Sequence, residues 1–178
     1  MKILIAYTSK HGTTEECVQR LQQHLHGLDV TLKNLAQAPS PSLVEYDIVV
    51  VGGSVQFGKF HPALRLFLKE NLEVLKQKRL ALFLCCGLAH EYEYYEEVLF
   101  AKELRAAAFQ MLYFGGSLRT DGLPFLDKLF VRHLRTTIAE NEIEDGEYTP
   151  SMPGILPENI ETMASYIRRE ALKKEQKL

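Results

Sequence analysis

The stretch that most constrains this chain is Lys2 to Glu16, which reads KILIAYTSKHGTTEE. Lys2 to Tyr7 is a largely apolar run of the length of a buried strand. Thr8 to Thr14 is small, polar and rich in hydroxyls around Gly12, and helix-forming residues follow from Glu15. A strand that turns through such a loop straight into a helix presents an anion site. The first backbone N–H groups of a helix lack partners, and its dipole favours negative charge there. Ser9, Thr13 and Thr14 add hydroxyl donors without adding charge. The loop therefore reads as a phosphate cradle; the plainer reading is a hydroxylated turn that caps an ordinary helix. No Gly-Lys-Ser/Thr follows at Walker spacing, and there is no GxGxxG.

Strand and helix patterns alternate after this loop. Cys17, Val18, Leu21, Leu25 and Leu28 recur at helical steps and predict a helix over Glu15 to Leu28. Asp29 to Leu35 alternates as a half-exposed strand, and Pro39 and Pro41 mark a loop. Asp47 to Val51 reads as a strand covered on both faces, followed by a glycine-bearing loop from Gly52 to His61. Pro62 opens a helix running to about Leu75. Arg79 to Cys86 is a further buried strand, Gly87 to Glu97 a loop or helix start, Val98 to Phe109 a helix and Met111 to Leu118 a fifth strand. Such alternation predicts an α/β three-layer sandwich, a parallel sheet with helices on both faces. Ligands in these sheets bind beyond the carboxyl ends of the strands, where the chain order switches.

Three loops at those strand ends carry a resemblance. Ser9-Lys10-His11-Gly12-Thr13-Thr14-Glu15 resembles the flavodoxin phosphate loop, with His11 where that pattern usually has Thr. Ser54-Val55-Gln56-Phe57-Gly58-Lys59 resembles the flavodoxin loop after the third strand, where an aromatic precedes a Gly. Cys86-Gly87, then Glu91-Tyr92-Glu93-Tyr94-Tyr95, resembles the loop after the fourth strand, with about one inserted residue and Leu88 in place of an Asp. The resemblance covers roughly the first two-thirds of the chain. It implies a five-stranded sheet of order 2-1-3-4-5; flavodoxin is itself an illustration of the switch-point rule, so that order rests on the likeness alone. It also implies FMN as cofactor. The phosphate would lie on residues Ser9, Lys10, His11, Gly12, Thr13 and Thr14. Phe57 would cover one face of the flavin ring and Tyr92 or Tyr94 the other, with Ser54, Val55, Gln56, Gly58, Cys86 and Gly87 lining the ring. The Gly58–Lys59 peptide would turn its carbonyl toward N5 of the reduced ring, a movement that Gly permits.

Gly52 to Phe67 and Tyr113 to Leu134 look like the flavodoxin-type, menaquinone-dependent protoporphyrinogen dehydrogenase group. The shared points are Gly58-Lys59-Phe60-His61 and a long helix after the fifth strand. That group carries a long basic insertion after the fourth strand, where this chain has a short acidic loop with Glu91, Glu93, Glu96 and Glu97. Pro124 to Glu140 reads as an amphipathic helix that packs on the sheet, or else as a surface for a quinone, membrane or partner. Asn141 to Pro157 reads as an exposed loop and Glu158 to Lys174 as a final helix turned inward through Ile160, Met163, Ala164 and Ile167.

The implied chemistry singles out two residues as catalytic candidates. Lys59 stands where flavodoxins often have Asp and would ease two-electron reduction of the flavin; the bland alternative is a solvated lysine. Histidine as a residue type serves in proton transfer, so His61 could donate a proton at the site mouth, or simply begin a helix. The chain reads as a single domain of 178 residues, with the extra helix and loop at about 123–157. A net charge of -2 gives no reason to expect nucleic acid. No apolar run nears the roughly 20 residues that span a bilayer, and the N-terminus lacks a signal-peptide shape. Three cysteines, two of them adjacent, point to a reducing cytoplasm, and His and Cys show no metal spacing. Three functions compete: an FMN oxidoreductase acting on a quinone, porphyrinogen or other flat substrate; an electron carrier docking on partner proteins; and a module that has lost FMN. Peripheral membrane contact fits the first, and oligomeric state is not legible.

Overall fold

In the computed structural model, residues 1–87, 91–116 and 154–175 are described, the side chains of 174–175 excepted. Strand β1 (Lys2–Thr8) leads into helix α1 (Thr13–His24), then β2 (Asp29–Asn34) and β3 (Ile48–Ser54). Helices α2 (Pro62–Glu70) and α3 (Leu72–Leu75) precede β4 (Arg79–Cys85). Helices α4 (Tyr92–Leu99) and α5 (Lys102–Ala107) precede β5 (Ala108–Tyr113). A short ladder of β6 (Gly115–Gly116) with β7 (Gly154–Ile155) comes before the final helix α6 (Pro157–Glu175). The five main strands are parallel, in the order β2-β1-β3-β4-β5, as the resemblance implied.

Both sheet faces are covered, which is why β1, β3 and β4 are apolar almost without interruption. On one face Leu4, Ala6, Val49, Val51, Leu80 and Leu82 pack against Leu64 and Phe67 of α2 and Leu104 of α5. Fully burying such a side chain contributes roughly 1.5–3 kcal/mol. On the other face Ile3, Ile5, Val50 and Phe83 meet Cys17 and Leu21 of α1 and Ile160, Met163, Ala164 and Ile167 of α6, the inward residues expected for that helix. Arg168 of α6 donates to the carbonyls of His24 and His26, which ties the last helix to the carboxyl end of α1.

Several boundaries differ from the sequence pattern, each for a local reason. β3 runs on through Gly52 and Gly53, which the pattern places in the following loop. The strand needs these glycines: a Cβ on Gly52 would lie 2.1 Å from the Phe83 carbonyl oxygen of β4. Helix α1 stops at His24, because the chain turns before Gly27 at φ 85. The helix begun by Pro62 breaks at Asn71, whose side chain donates to the Phe67 carbonyl at 2.9 Å and competes with helical continuation. Val98 to Phe109 is not one helix: α4 ends at Leu99, Phe100 and Ala101 are extended, and β5 already begins at Ala108. Leu88, the expected helix at Pro124 to Glu140 and most of the loop to Pro157 lie outside the described residues. Among the described residues no helix is long and apolar enough to cross a membrane.

Candidate functional site

The parallel register brings three strand ends side by side. Thr8 of β1 pairs with Gly53 of β3, and Ser54 of β3 pairs with Cys85 of β4. The three loops singled out in the sequence leave the sheet from these neighbouring positions, so they share one rim. The Val55 N–H donates to the Cys85 carbonyl at 2.8 Å and carries the ladder one residue further.

The first loop is built mainly by backbone. Gly12, at φ 84, turns the chain into α1, and the Glu16 N–H reaches back to its carbonyl at 2.9 Å. Ser9 Oγ accepts from the Glu15 N–H at 3.3 Å. Lys10 and His11 are exposed, while Thr13 and Thr14 are buried. At the base of the loop, Thr8 Oγ1 and Thr14 Oγ1 are buried without a hydrogen-bond partner. Thr14 Oγ1 nevertheless comes close enough to the Cys85 sulfur to bias its titration, without forming a bond of good geometry. Leaving a buried hydroxyl unpaired costs on the order of 1–3 kcal/mol, which an acceptor on a bound ligand would recover. Tyr7 beneath the loop is shifted upward by burial and by the Glu15 carboxylate beside it.

The second loop is a tight hairpin, which the sequence did not announce. Gln56 and Lys59 exchange backbone hydrogen bonds of 2.9 and 3.0 Å across a two-residue turn. Phe57 has φ 49 and Gly58 φ 70, so both central residues are left-handed, the type I′ arrangement. A left-handed conformation is uncommon outside Gly, Asn and Asp and costs roughly 1–2 kcal/mol. The strain is spent on holding an aromatic in the open, for Phe57 is 74% exposed. Because the Lys59 N–H bonds the Gln56 carbonyl, turning the Gly58–Lys59 peptide would break that bond. The Lys59 side chain is exposed. Ser54, Val55 and Gln56 are half-buried along the ascending arm. His61 caps α2, its Nδ1 accepting from the Ala63 N–H at 3.2 Å. That bond requires Nδ1 to be unprotonated and leaves Nε2 as the ring's other polar atom.

The third loop separates the two tyrosine candidates. Tyr92 stacks on Tyr113 with ring centroids 5.2 Å apart and planes 26° from parallel, so one of its faces is covered. Tyr113 in turn donates to the Cys86 carbonyl at 2.7 Å. Tyr94 is 63% exposed, and its ring meets that of Tyr95 at 5.6 Å. Tyr95 is the neighbour of the hairpin: a Cβ on Gly58 would lie 3.9 Å from its Cε1. Burial raises Tyr92, with the Glu96 carboxylate bonded to it adding to the effect, and burial and Glu91 do the same to Tyr95. Tyr113 is raised by burial first and then by the adjacent Cys86. Gly87 is half-buried beyond Cys86. Cys17, Cys85 and Cys86 are free and buried. The Cys85 thiol is pushed well up, first by its hydrogen bond with Cys17 and then by burial, so it stays protonated. Among the described residues no group of three or more His, Cys, Asp or Glu could hold a metal ion.

Sequence reasoning did not single out Thr8 or Tyr113, and it left open which of Tyr92, Tyr94 and Tyr95 would stack on a ring. Thr8 lay inside the hydroxyl-rich stretch and could have been included; the Tyr113 contact with Cys86 spans a separation with no local signal.

A model described as flavodoxin domain matches residues 4–144. Protoporphyrinogen IX dehydrogenase [quinone] of Escherichia coli strain K12 is 32% identical over 73 residues, a match that spans 40% of this chain and 40% of that protein. The structure is similar to a flavodoxin from the domain Archaea, with TM-score 0.52 and 21% identity over 79% of this chain and 98% of that one. It is similar also to rubredoxin oxygen:oxidoreductase of Desulfovibrio gigas, with TM-score 0.52 and 18% identity over 79% of this chain and 35% of that one.

Proposed function

Because the chain belongs to the flavodoxin domain family, whose model spans residues 4–144, we propose that it binds FMN at this rim and acts as a flavin-dependent oxidoreductase on a flat small molecule, a quinone-type acceptor or a porphyrinogen. The observation that carries the reading is the pair of buried, unpartnered hydroxyls, Thr8 Oγ1 and Thr14 Oγ1, where strand β1 passes into helix α1. Two such donors beside a helix start suit a phosphate-tailed ligand. Ser9 to Thr14 would hold the phosphate, and Phe57 would lie against the ring, faced by Tyr94 or Tyr95. When bound, FMN supplies the electron-transfer chemistry, and the protein positions it and sets its electrostatics. Partial similarity to a quinone-linked dehydrogenase supports the enzyme reading. A second reading, an electron carrier docking on a partner protein, is favoured by the exposed Glu93 and Glu97 on α4.

The test is uptake of FMN by the purified chain, followed by quenching of flavin fluorescence. Saturable binding is expected, weakened about ten-fold by Thr14→Ala, in keeping with the loss of one hydrogen bond to a charged group. No quenching in excess FMN by a folded chain would end the proposal. Abundant one-electron-reduced flavin during photoreduction would favour the carrier over the enzyme.

A further inference from the structure

Helix α1 carries two acids in its first turn, Glu15 and Glu16, beside the loop that turns on Gly12. Negative charge there favours a free helix through the dipole, but it repels any anion seated at the same helix start. Each acid has a partner. Arg20 Nη2 donates to Glu16 Oε1 at 2.7 Å, one turn along. Glu15 is the third residue of the helix, a place from which a glutamate ordinarily reaches back to the backbone N–H at the N-cap. Here its carboxylate is bonded instead to the hydroxyl of Tyr7. Tyr7 is buried on β1, in one cluster with Cys17, Val18 and Leu21 of α1. The Glu15 N–H is meanwhile bonded to Ser9 Oγ at 3.3 Å.

From this we infer that Tyr7 is a positioning residue for the phosphate loop: its hydroxyl holds the Glu15 carboxylate against the sheet and so keeps the start of α1 open to a phosphate monoester. The inference rests on the flavin reading above and deepens it at the phosphate end. A carboxylate folded over the helix start would take the N–H groups that the phosphate needs. It would also set a like charge beside a group that bears roughly two negative charges. A phenol suits the task because it offers one donor and no charge. It fixes Glu15 without drawing the ligand toward itself, as a lysine in its place would.

The experiment measures the FMN affinity of the full chain by quenching of flavin fluorescence at low ionic strength. It compares the parent with Tyr7→Phe, Glu15→Gln and the double variant, each checked for folding by circular dichroism. Tyr7→Phe removes one hydroxyl and frees the carboxylate, and it is expected to weaken binding about five-fold. In the Glu15→Gln background the same change should weaken binding by at most about two-fold, because no charge remains to be held back. A purely structural role for Tyr7 would give equal losses in both backgrounds. Glu15→Gln alone should bind at least as tightly as the parent. Glu15→Asp tests the idea without touching β1: the charge stays, on an arm one methylene too short for the Tyr7 hydroxyl, and binding should weaken about three-fold. Equal losses from Tyr7→Phe in the two backgrounds, no loss in either, or a Glu15→Asp variant that binds like Glu15→Gln would overturn this inference alone. A folded parent that takes up no FMN overturns the flavin reading and this inference with it.

Discussion

The loop after β1 and the hairpin after β3 leave the sheet side by side, yet they are built by opposite means. The first is shaped by backbone. Its one left-handed residue is Gly12, its threonines are buried, and its shape follows from a strand end meeting a helix start. The second presents a side chain. It places a phenylalanine in left-handed backbone and leaves it exposed. A site for a molecule with a charged tail and a flat head needs both. The tail can be held by fixed dipoles at little conformational cost, whereas the head needs an apolar face that water would otherwise drive inward.

The joint between the two regions gives the largest expected effect. Thr8 and Gly53 face each other across the ladder, and a Cβ on Gly53 would lie 2.6 Å from Thr8 Oγ1 and 2.8 Å from Leu64 Cδ2. Gly53→Ala should therefore destabilise the fold by about 1–3 kcal/mol, as overpacking of a filled core does. Gly58→Ala is the contrast, because its nearest neighbour is the Tyr95 ring at 3.9 Å. Only the φ of 70 opposes that change, at a cost of about 1 kcal/mol. Urea titrations of the two variants measure the difference. Equal losses would mean that Thr8 and Leu64 yield easily and that the joint is looser than its distances imply.

Within the pair, the strained member should respond with the opposite sign. Phe57→Asn would give the turn an Asn-Gly pair, the pairing favoured in type I′ hairpins. Stability should rise by about 0.5–1 kcal/mol, since Asn tolerates the left-handed region. FMN affinity should fall several-fold, because a ring contact contributes about 0.5–1.5 kcal/mol beyond burial. Gly12→Ala at φ 84 should do otherwise, losing about 1–2 kcal/mol of stability along with affinity. If Phe57→Asn proves less stable than the parent, the exposed ring is packing and the contrast between the regions fails.

The same contrast explains what was legible in the sequence. The helices on both faces and the first loop follow from apolar runs, helical spacing and a glycine among hydroxyls, all local patterns, whereas the strand order came from the resemblance alone. The hairpin is not local in that sense. Gln56-Phe57-Gly58-Lys59 lacks the usual Asn-Gly or Asp-Gly signal, and the turn follows a β3 that extends three residues beyond its apolar run, through Gly52, Gly53 and Ser54, with Gln56 and Lys59 paired across it. The choice among the tyrosines was hidden for a related reason. Tyr92 is drawn against Tyr113, a partner on β5, and no spacing on α4 distinguishes it from Tyr94. The glycines of β3 looked like loop punctuation because the carbonyl of Phe83 that excludes a side chain there belongs to another strand.

His61 gives the smallest effect and bears most directly on chemistry, since it closes the hairpin segment and opens α2. Its Nδ1 accepts from the Ala63 N–H, which makes it a helix cap whatever else it does. Removing the cap with His61→Ala should cost about 0.5–1 kcal/mol, at the low end for cap replacements. His61→Asn restores a good cap and should return most of that stability. The pair of variants then isolates Nε2, the atom that the cap does not use. If His61 passes a proton at the mouth of the site, His61→Asn will be as stable as the parent but slower in reducing a quinone, with flavin uptake intact. If the residue only begins a helix, turnover will follow stability across both variants, and the hairpin region will owe its function to Phe57.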